Sequence, residues 1–321
     1  MYRAALAVLL LPLAAAGCMA GHGPAATAAS RPVTRNLQAA IDALPAAGGT
    51  VRIAPGIYRE RLRIGRDGVR LVGTGARPQD VVIVGGESAA TTGSIYASTT
   101  VHVAGDDFRA SNLTFANDWE ANPAHGSSQA AALAISGDRA VLTGVRVLGG
   151  QDTLYLTGPP GRLTRQMFRD CYIEGHVDFV FGNAATWFDN CQIHGIDHHT
   201  VMYTAHSRNA PGEKGGFVFH RSRFTAGTAP GGIYLGRPWR PYARVVLIDS
   251  QVDAPFAPGG WREWKPGMTD NSASATYAEY RTTYTRGAPE RSRIRQLTAE
   301  EAAQWTLPAL FNGDIQWIDA P

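Results

Sequence analysis

The chain has 321 residues; 44% are apolar and only 18% charged, with 36 glycines and 19 prolines. That balance supports one large core and suits a strand- and turn-rich exported protein better than a helical cytosolic one. The formal charge of +3 is too small, and too free of Lys/Arg runs interleaved with aromatics, for a nucleic-acid binder.

Arg3, the apolar run Ala4 to Ala16 and the pair Gly17-Cys18 read as an export signal over residues 1–18, too short to span a bilayer as a stable helix. The end Ala15-Ala16-Gly17-Cys18 resembles a bacterial lipoprotein cleavage site with lipid added to Cys18, departing from it in having Ala15 where leucine is preferred. Met19 after the cysteine favours the outer membrane. Residues 19–33 are rich in Ala, Gly, Pro and Ser and read as a flexible tether. Residues 34–321 remain for one folded domain. The expected location is therefore exported, as an outer-membrane lipoprotein or a secreted or periplasmic protein, with Cys18 the sole membrane contact.

Thr34 is placed to cap a short helix from Arg35 to Leu44, with Leu37, Ile41 and Leu44 at helical spacing and Pro45 and Gly48-Gly49 ending it. Short β-branched runs follow: Thr50 to Ile53, Val69 to Val72, Val81 to Val84, Val101 to Val103, Asn112 to Phe115, Ala132 to Ile135, Val141 to Val145 and Gln166 to Phe168. Gly, Asp or Asn punctuates nearly all of them. Strands without long intervening helices exclude a doubly wound or TIM-type sheet. Phe115-Ala116-Asn117, Phe168-Arg169-Asp170-Cys171 and Phe188-Asp189-Asn190-Cys191 read as similar corners, and a spacing near twenty residues favours a solenoid over a sandwich. The expected fold is all-β: a single-domain right-handed parallel β-helix with an N-terminal capping helix. Cys171 and Cys191 would then stack on adjacent rungs, where an oxidising compartment allows a disulfide; two separate buried thiols are the alternative.

Two acids stand in apolar text, in Gln151-Asp152-Thr153-Leu154 and in Val177-Asp178-Phe179-Val180-Phe181-Gly182. A carboxylate among Val, Phe and Leu is costly to bury unless paired or used, and two with displaced pKa values suit acid–base or nucleophilic work at a carbonyl. The solenoid reading puts Gln129, Gln151, Asp152 and Asp178 on neighbouring rungs of one face. Taken singly, each candidate has a structural alternative: a turn aspartate, a buried ion pair, an amide ladder or core filler.

Together with Gln129-Ala130-Ala131-Ala132-Leu133, Leu235-Gly236-Arg237-Pro238-Trp239 and Gly56-Ile57-Tyr58-Arg59-Glu60, these motifs resemble, in order, those of the pectin methylesterases, from about Arg35 to the C-terminus. The text Asp138-Arg139-Ala140 is more similar to the bacterial branch. The resemblance implies metal-free hydrolysis, without cofactor, of the methyl ester at C6 of galacturonate in pectin, by a monomer. It implies Asp178 as nucleophile and Asp152 as acid, then base. Gln129 and Gln151 would be oxyanion donors, Arg237 would aim Asp178 and hold its pKa down, and Trp239, Val177 and Phe181 would contact the sugar.

Thr204-Ala205-His206-Ser207-Arg208 departs from the family's Thr-Ala-Gln-Gly-Arg, which bears on local substrate contacts. The polar stretch Trp119 to His125 is insertion-like and placed to reshape the groove. Adjacent His198 and His199, after Asp197, point to opposite faces of a strand and do not share a metal without a turn. The rivals are a pectin lyase or polygalacturonase, an esterase or thioesterase of the same family acting on a non-pectin ester, and a non-catalytic polysaccharide-binding solenoid. The glutamines favour acyl chemistry over glycoside hydrolysis, and a binder gains nothing from two acids in apolar text.

Overall fold

The computed structural model describes residues 35–319, which lie within one compact unit. The export signal, the tether, Cys18 and Thr34 fall outside the described residues. Helix Leu37–Asp42 opens the domain and is capped by Asn36, whose side chain accepts from the Ala39 N–H at 3.0 Å. Glu60, from the Gly56-to-Glu60 motif, also accepts from the first helical amides, Leu37 at 3.1 Å and Gln38 at 3.3 Å. A carboxylate suits this end of a helix, where backbone donors lack partners.

Among the described residues the strands form three parallel sheets of ten, nine and seven strands; successive strands go to the three sheets in rotation as far as Gln251–Asp253, after which they alternate between the ten- and nine-stranded sheets. This is a parallel β-helix with the right-handed crossover that parallel strands favour. Every predicted strand lies on or overlaps one in the structure. The period is irregular, because loops leave the coil at some corners: equivalent corner residues Asp170 and Asn190 are 20 apart, whereas Asp189 and His220, also in register, are 31 apart.

The corner from the ten-stranded to the nine-stranded sheet repeats most regularly. Its first residue is left-handed at rung after rung: Asn112, Gly144, Asp170, Asn190, Arg221, Asp249 and Arg281, with φ between 49° and 60°. Gly, Asn and Asp tolerate this region; arginine does so at some cost. At Arg221 and Arg281 ion pairs to Asp189 and Asp249 accompany the strained backbone. Phe168, Phe188 and Phe219 align just before this corner. Phe115 does not belong with them: it pairs with Val147 on the nine-stranded sheet, so the expected likeness of its corner is a coincidence of residue type.

The second corner residue turns inward, and here the disulfide expectation is corrected. Cys171 and Cys191 are free, buried thiols. Cys171 Sγ donates to Arg169 O at 3.2 Å and Leu142 O at 3.5 Å, and Cys191 Sγ to Asp189 O at 3.4 Å and Phe168 O at 3.6 Å. On the next rungs the hydroxyls of Ser222 and Ser250 bond the same way, to the carbonyl two residues back and to one on the preceding rung. The thiols serve as corner donors.

The solenoid interior is filled by apolar ladders from all three sheets. A second core lies outside the ten-stranded sheet, where Met167, Trp187, Val218 and Val246 are covered by the C-terminal segment through Phe311 and Trp317.

Candidate active site

The site lies where the nine-stranded sheet turns into the seven-stranded one. Asp152 follows strand Arg146–Leu148 and precedes Leu154–Leu156; Asp178 follows Tyr172–Gly175 and precedes Val180–Gly182. Leu154 pairs with Val180, so both aspartates stand two residues before the same rung position. Both have left-handed backbone, φ 60° and 52°, and both are only 4% exposed. The Asp152 N–H donates to Val177 O at 3.0 Å, clipping the two turns together.

Arg237 emerges at the end of strand Ile233–Gly236 and meets Asp178 with two nitrogens. Its Nε lies 2.9 Å from Oδ1 and its Nη2 2.6 Å from Oδ2. The guanidinium also lies 4.2 Å from the Trp264 ring centroid. Among the described residues Asp152 has no such ion pair: it accepts from Gln129 Nε2 at 2.9 Å. Burial, reinforced by the charge of Asp178, pushes the Asp152 carboxyl well above the usual carboxylate range. Burial raises Asp178 as well, and Arg237 opposes it. Arg237 thus pulls the Asp178 carboxyl down, as expected, but desolvation outweighs the guanidinium and the net direction is upward. Arg237 is itself raised: burial would lower it, but the bond to Asp178 prevails.

All the expected catalytic residues converge here. Gln129 is exposed at the groove edge and retains a second amide hydrogen beyond the one given to Asp152. Gln151 is half-buried, and its Oε1 lies 3.4 Å from Ser127 Oγ. Of the expected sugar contacts, Trp239 and Val177 are half-buried at the groove. Phe181 is 5% exposed and forms the floor, stacked 4.4 Å from Tyr155 and edge-on to Trp239 at 6.2 Å.

Sequence reasoning missed the rest of this aromatic row. Tyr96 packs 5.3 Å from Tyr155, and Trp264 lies 6.4 Å from Trp239. Tyr155 directly follows Gln151-to-Leu154 and pairs in register with Phe181, so the register could have found it. Trp264 arrives from a distant loop that no local pattern ties to the site. Thr204 to His206 are buried scaffold, not groove. His206 Nδ1 accepts the Arg244 N–H at 3.1 Å, and burial holds this histidine's pKa down at about 3. Arg208 is spent on the carbonyls of Glu213 and Tyr242 at 2.9 and 2.8 Å. The departure from the family text therefore falls beneath the surface. His198 stacks on His176 at 3.8 Å while Asp197 accepts from the Thr228 N–H at 2.6 Å, so the Asp-His-His run disperses.

A family model described as Pectinesterase matches residues 27–314. Pectinesterase 31 of Arabidopsis thaliana is 36% identical over 260 residues, 77% of this chain and 78% of that protein. The solved pectin methylesterase from carrot is similar with a TM-score of 0.76 at 28% identity, covering 86% of this chain and 89% of the other. A mutant pectin methylesterase in complex with a hexasaccharide gives 0.74 at 27% identity, over 89% and 94%. With four of the five ordered motifs converging on one site and the fifth, Gly56 to Glu60, holding the first helix, the chain belongs to the pectinesterase family.

Proposed function

We propose that this enzyme removes the methyl esters at C6 of galacturonate units in pectin, giving pectate and methanol, through an acyl-enzyme on Asp178. The observation that carries this reading is the unequal treatment of two equivalent acids: Asp178 is gripped by Arg237 while Asp152 is buried beside it without a cation of its own. The ion pair keeps Asp178 available as a carboxylate, and the fork aims it. Asp178 attacks the ester carbon, and the carbonyl electron pair moves to oxygen, where the Gln129 and Gln151 amides donate. Collapse breaks the bond to methoxide, which takes the Asp152 proton and leaves as methanol. Asp152, now ionised, removes a proton from water as the water oxygen attacks the acyl carbon. Collapse of that second intermediate frees Asp178 and the galacturonic acid, which ionises.

The test is methanol release from highly methylated pectin, with chain length followed in parallel. The expected result is methanol without chain shortening, lost in Asp178→Asn. Shortened chains, or full activity in that variant, would overturn the reading.

We also read this as a lipid-anchored, monomeric member of the bacterial branch. The support is the text around Arg3, Ala15 and Cys18 and that of Asp138 to Ala140. Mass spectrometry of the mature N-terminus tests the anchor: an acylated Cys18 is expected, and an unmodified terminus removes it. Light scattering tests the monomer.

A further inference from the structure

The insertion-like segment before Gln129 is built on its own contacts. Asp118 is held by Arg59 at 2.5 Å, Trp119 Nε1 donates to Gly126 O at 2.9 Å, and the His125 ring stacks on Trp119 at 3.7 Å. The hydroxyl of Ser127, just beyond this segment, links Glu120 to Gln151. The Ser127 hydroxyl hydrogen is shared between Glu120 Oε1 at 2.9 Å and Gln151 Oε1 at 3.4 Å. Burial alone would raise the Glu120 carboxyl, but His176, Ser127 and the backbone N–H of Gln151 outweigh it and hold it below its ordinary value.

His176 anchors this carboxylate from beneath. It is 1% exposed, and its partners fix its tautomer. The Val177 N–H donates to Nδ1 at 2.8 Å, so Nδ1 is unprotonated; Nε2 therefore carries the hydrogen and donates it to Glu120 Oε2 at 2.6 Å. The fit is close: a β-carbon on Gly150 would fall 2.5 Å from Glu120 Oε2 and 2.9 Å from His176 Nε2. Neither residue bonds to Asp152 or Asp178, and the catalytic steps above use neither.

We propose that Glu120 and His176 are positioning residues for Gln151: the His176-anchored carboxylate packs against Gly150 and, through Ser127, holds the carbonyl end of the Gln151 side chain, leaving the amide Nε2 to donate to the oxyanion. This rests on the reading of Gln151 as an oxyanion donor. An amide held in place before the charge develops stabilises the transition state more than the bound ester, so its loosening falls on kcat and not on KM.

The experiment measures kcat and KM for methanol release from pectin in Glu120→Ala, Glu120→Gln, His176→Ala, Gln151→Ala and the Glu120→Ala/Gln151→Ala double variant. Glu120→Ala and His176→Ala should each lower kcat about tenfold with KM within about twofold. Glu120→Gln keeps a polar partner for the Ser127 hydroxyl and should retain most of the rate. In the Gln151→Ala background Glu120→Ala should cost nothing more, because the two act through one amide. Multiplicative losses in the double variant, a change in KM alone, or a wild-type rate in Glu120→Ala would overturn the inference. If Gln151→Ala is slow while Glu120→Ala is not, only this inference falls; if Gln151→Ala keeps wild-type kcat, the oxyanion role of Gln151 falls with it. Should Glu120→Ala fail to fold, Ser127→Ala reads the same coupling: an approximately threefold loss of kcat is expected, absent in the Gln151→Ala background, and equal losses in both overturn the inference.

Discussion

Asp152 and Asp178 occupy equivalent places on successive rungs, yet only Asp178 is held by Arg237. A repeating backbone delivers two carboxyls in the same left-handed geometry, one strand spacing apart. The difference between them comes from a side chain that arrives 59 residues later in the chain than Asp178. The asymmetry suits two roles, because a nucleophile must be ionised and aimed, whereas an acid must keep its proton.

Replacement of Arg237 by lysine should therefore lower kcat at least about tenfold although the charge survives. Lysine cannot reproduce the paired contacts of Nε and Nη2 with the two carboxylate oxygens, nor the flat packing on Trp264. Methanol-release kinetics check this, with circular dichroism confirming the fold. An unchanged kcat would reduce Arg237 to general charge compensation.

The same asymmetry sets a dependence on pH. Activity should fall on the acid side as Asp178 takes a proton and on the basic side as Asp152 loses one, both limbs belonging to the coupled pair. Both carboxyls are raised from the ordinary value of 3.8, so the bell should sit above the usual carboxylate range. For stability the sign is opposite to that of a salt-bridged acid. A raised folded-state pKa means the native state binds more protons than the unfolded chain between the two values. The associated stability is complete below the unfolded pKa and lost as pH rises through the folded one. Asp152→Asn should abolish most turnover but melt above the wild type at about pH 8, the difference closing towards about pH 3.5. A variant that melts lower at the basic end would show that ionised Asp152 stabilises the fold.

Much of this was legible in the sequence for a physical reason: in a solenoid, neighbours in space are separated by one coil of chain. Short β-branched runs broken by Asn, Asp and Gly marked strands and left-handed corners, and the spacing of Asp152 and Asp178 put them on facing rungs. What escaped depends on side chains that leave the coil. Trp264 reaches the site on a loop whose path no periodicity records, and the stretch from Trp119 to His125, though marked in the sequence, does not single out Glu120. Of the two readings of Cys171 and Cys191, the separate thiols hold, because adjacency on rungs is not by itself a bond. The Ser222 and Ser250 hydroxyls in the same column show instead what that position does, which is to donate to strand-end carbonyls.

That column yields a prediction of its own. Alkylation of the unfolded protein under non-reducing conditions should label both Cys171 and Cys191, and reductant should leave the melting temperature unchanged. Cys191→Ser should cost less than about 1 kcal/mol, since the hydroxyl keeps a donor where serine already stands on the next rung. Cys191→Ala should cost more, because it removes the donor and leaves a small cavity. A linked Cys171–Cys191 peptide, or a reductant-dependent melting temperature, would restore the bridge.

Asp138 makes the strongest demand on the scaffold away from the groove. It is buried and accepts from the Arg165 backbone N–H at 2.7 Å, from Arg165 Nη2 at 2.6 Å and from Arg139 Nη1 at 3.1 Å. Arg165 reaches on to Asp314 at 2.6 Å and lies over the Trp317 ring at 5.8 Å, so the pair ties the C-terminal segment to the ten-stranded sheet. Burial alone would raise the Asp138 carboxyl, but the Arg165 and Arg139 contacts outweigh it and hold it below the ordinary value. Here the sign is the ordinary one: the stabilisation is present above the unfolded pKa near 3.8 and is lost as pH falls through the folded value. Asp138→Asn leaves the buried Arg165 guanidinium with only the exposed Asp314 and should cost on the order of 3–5 kcal/mol near neutrality. The loss should shrink in acid, where the wild-type carboxyl is itself protonated. Urea unfolding at about pH 7 and about pH 3 measures both ends of that window. Equal midpoints for variant and wild type at pH 7 would make the cluster electrostatically neutral and leave apolar contacts such as Phe311 and Trp317 to hold the C-terminal segment.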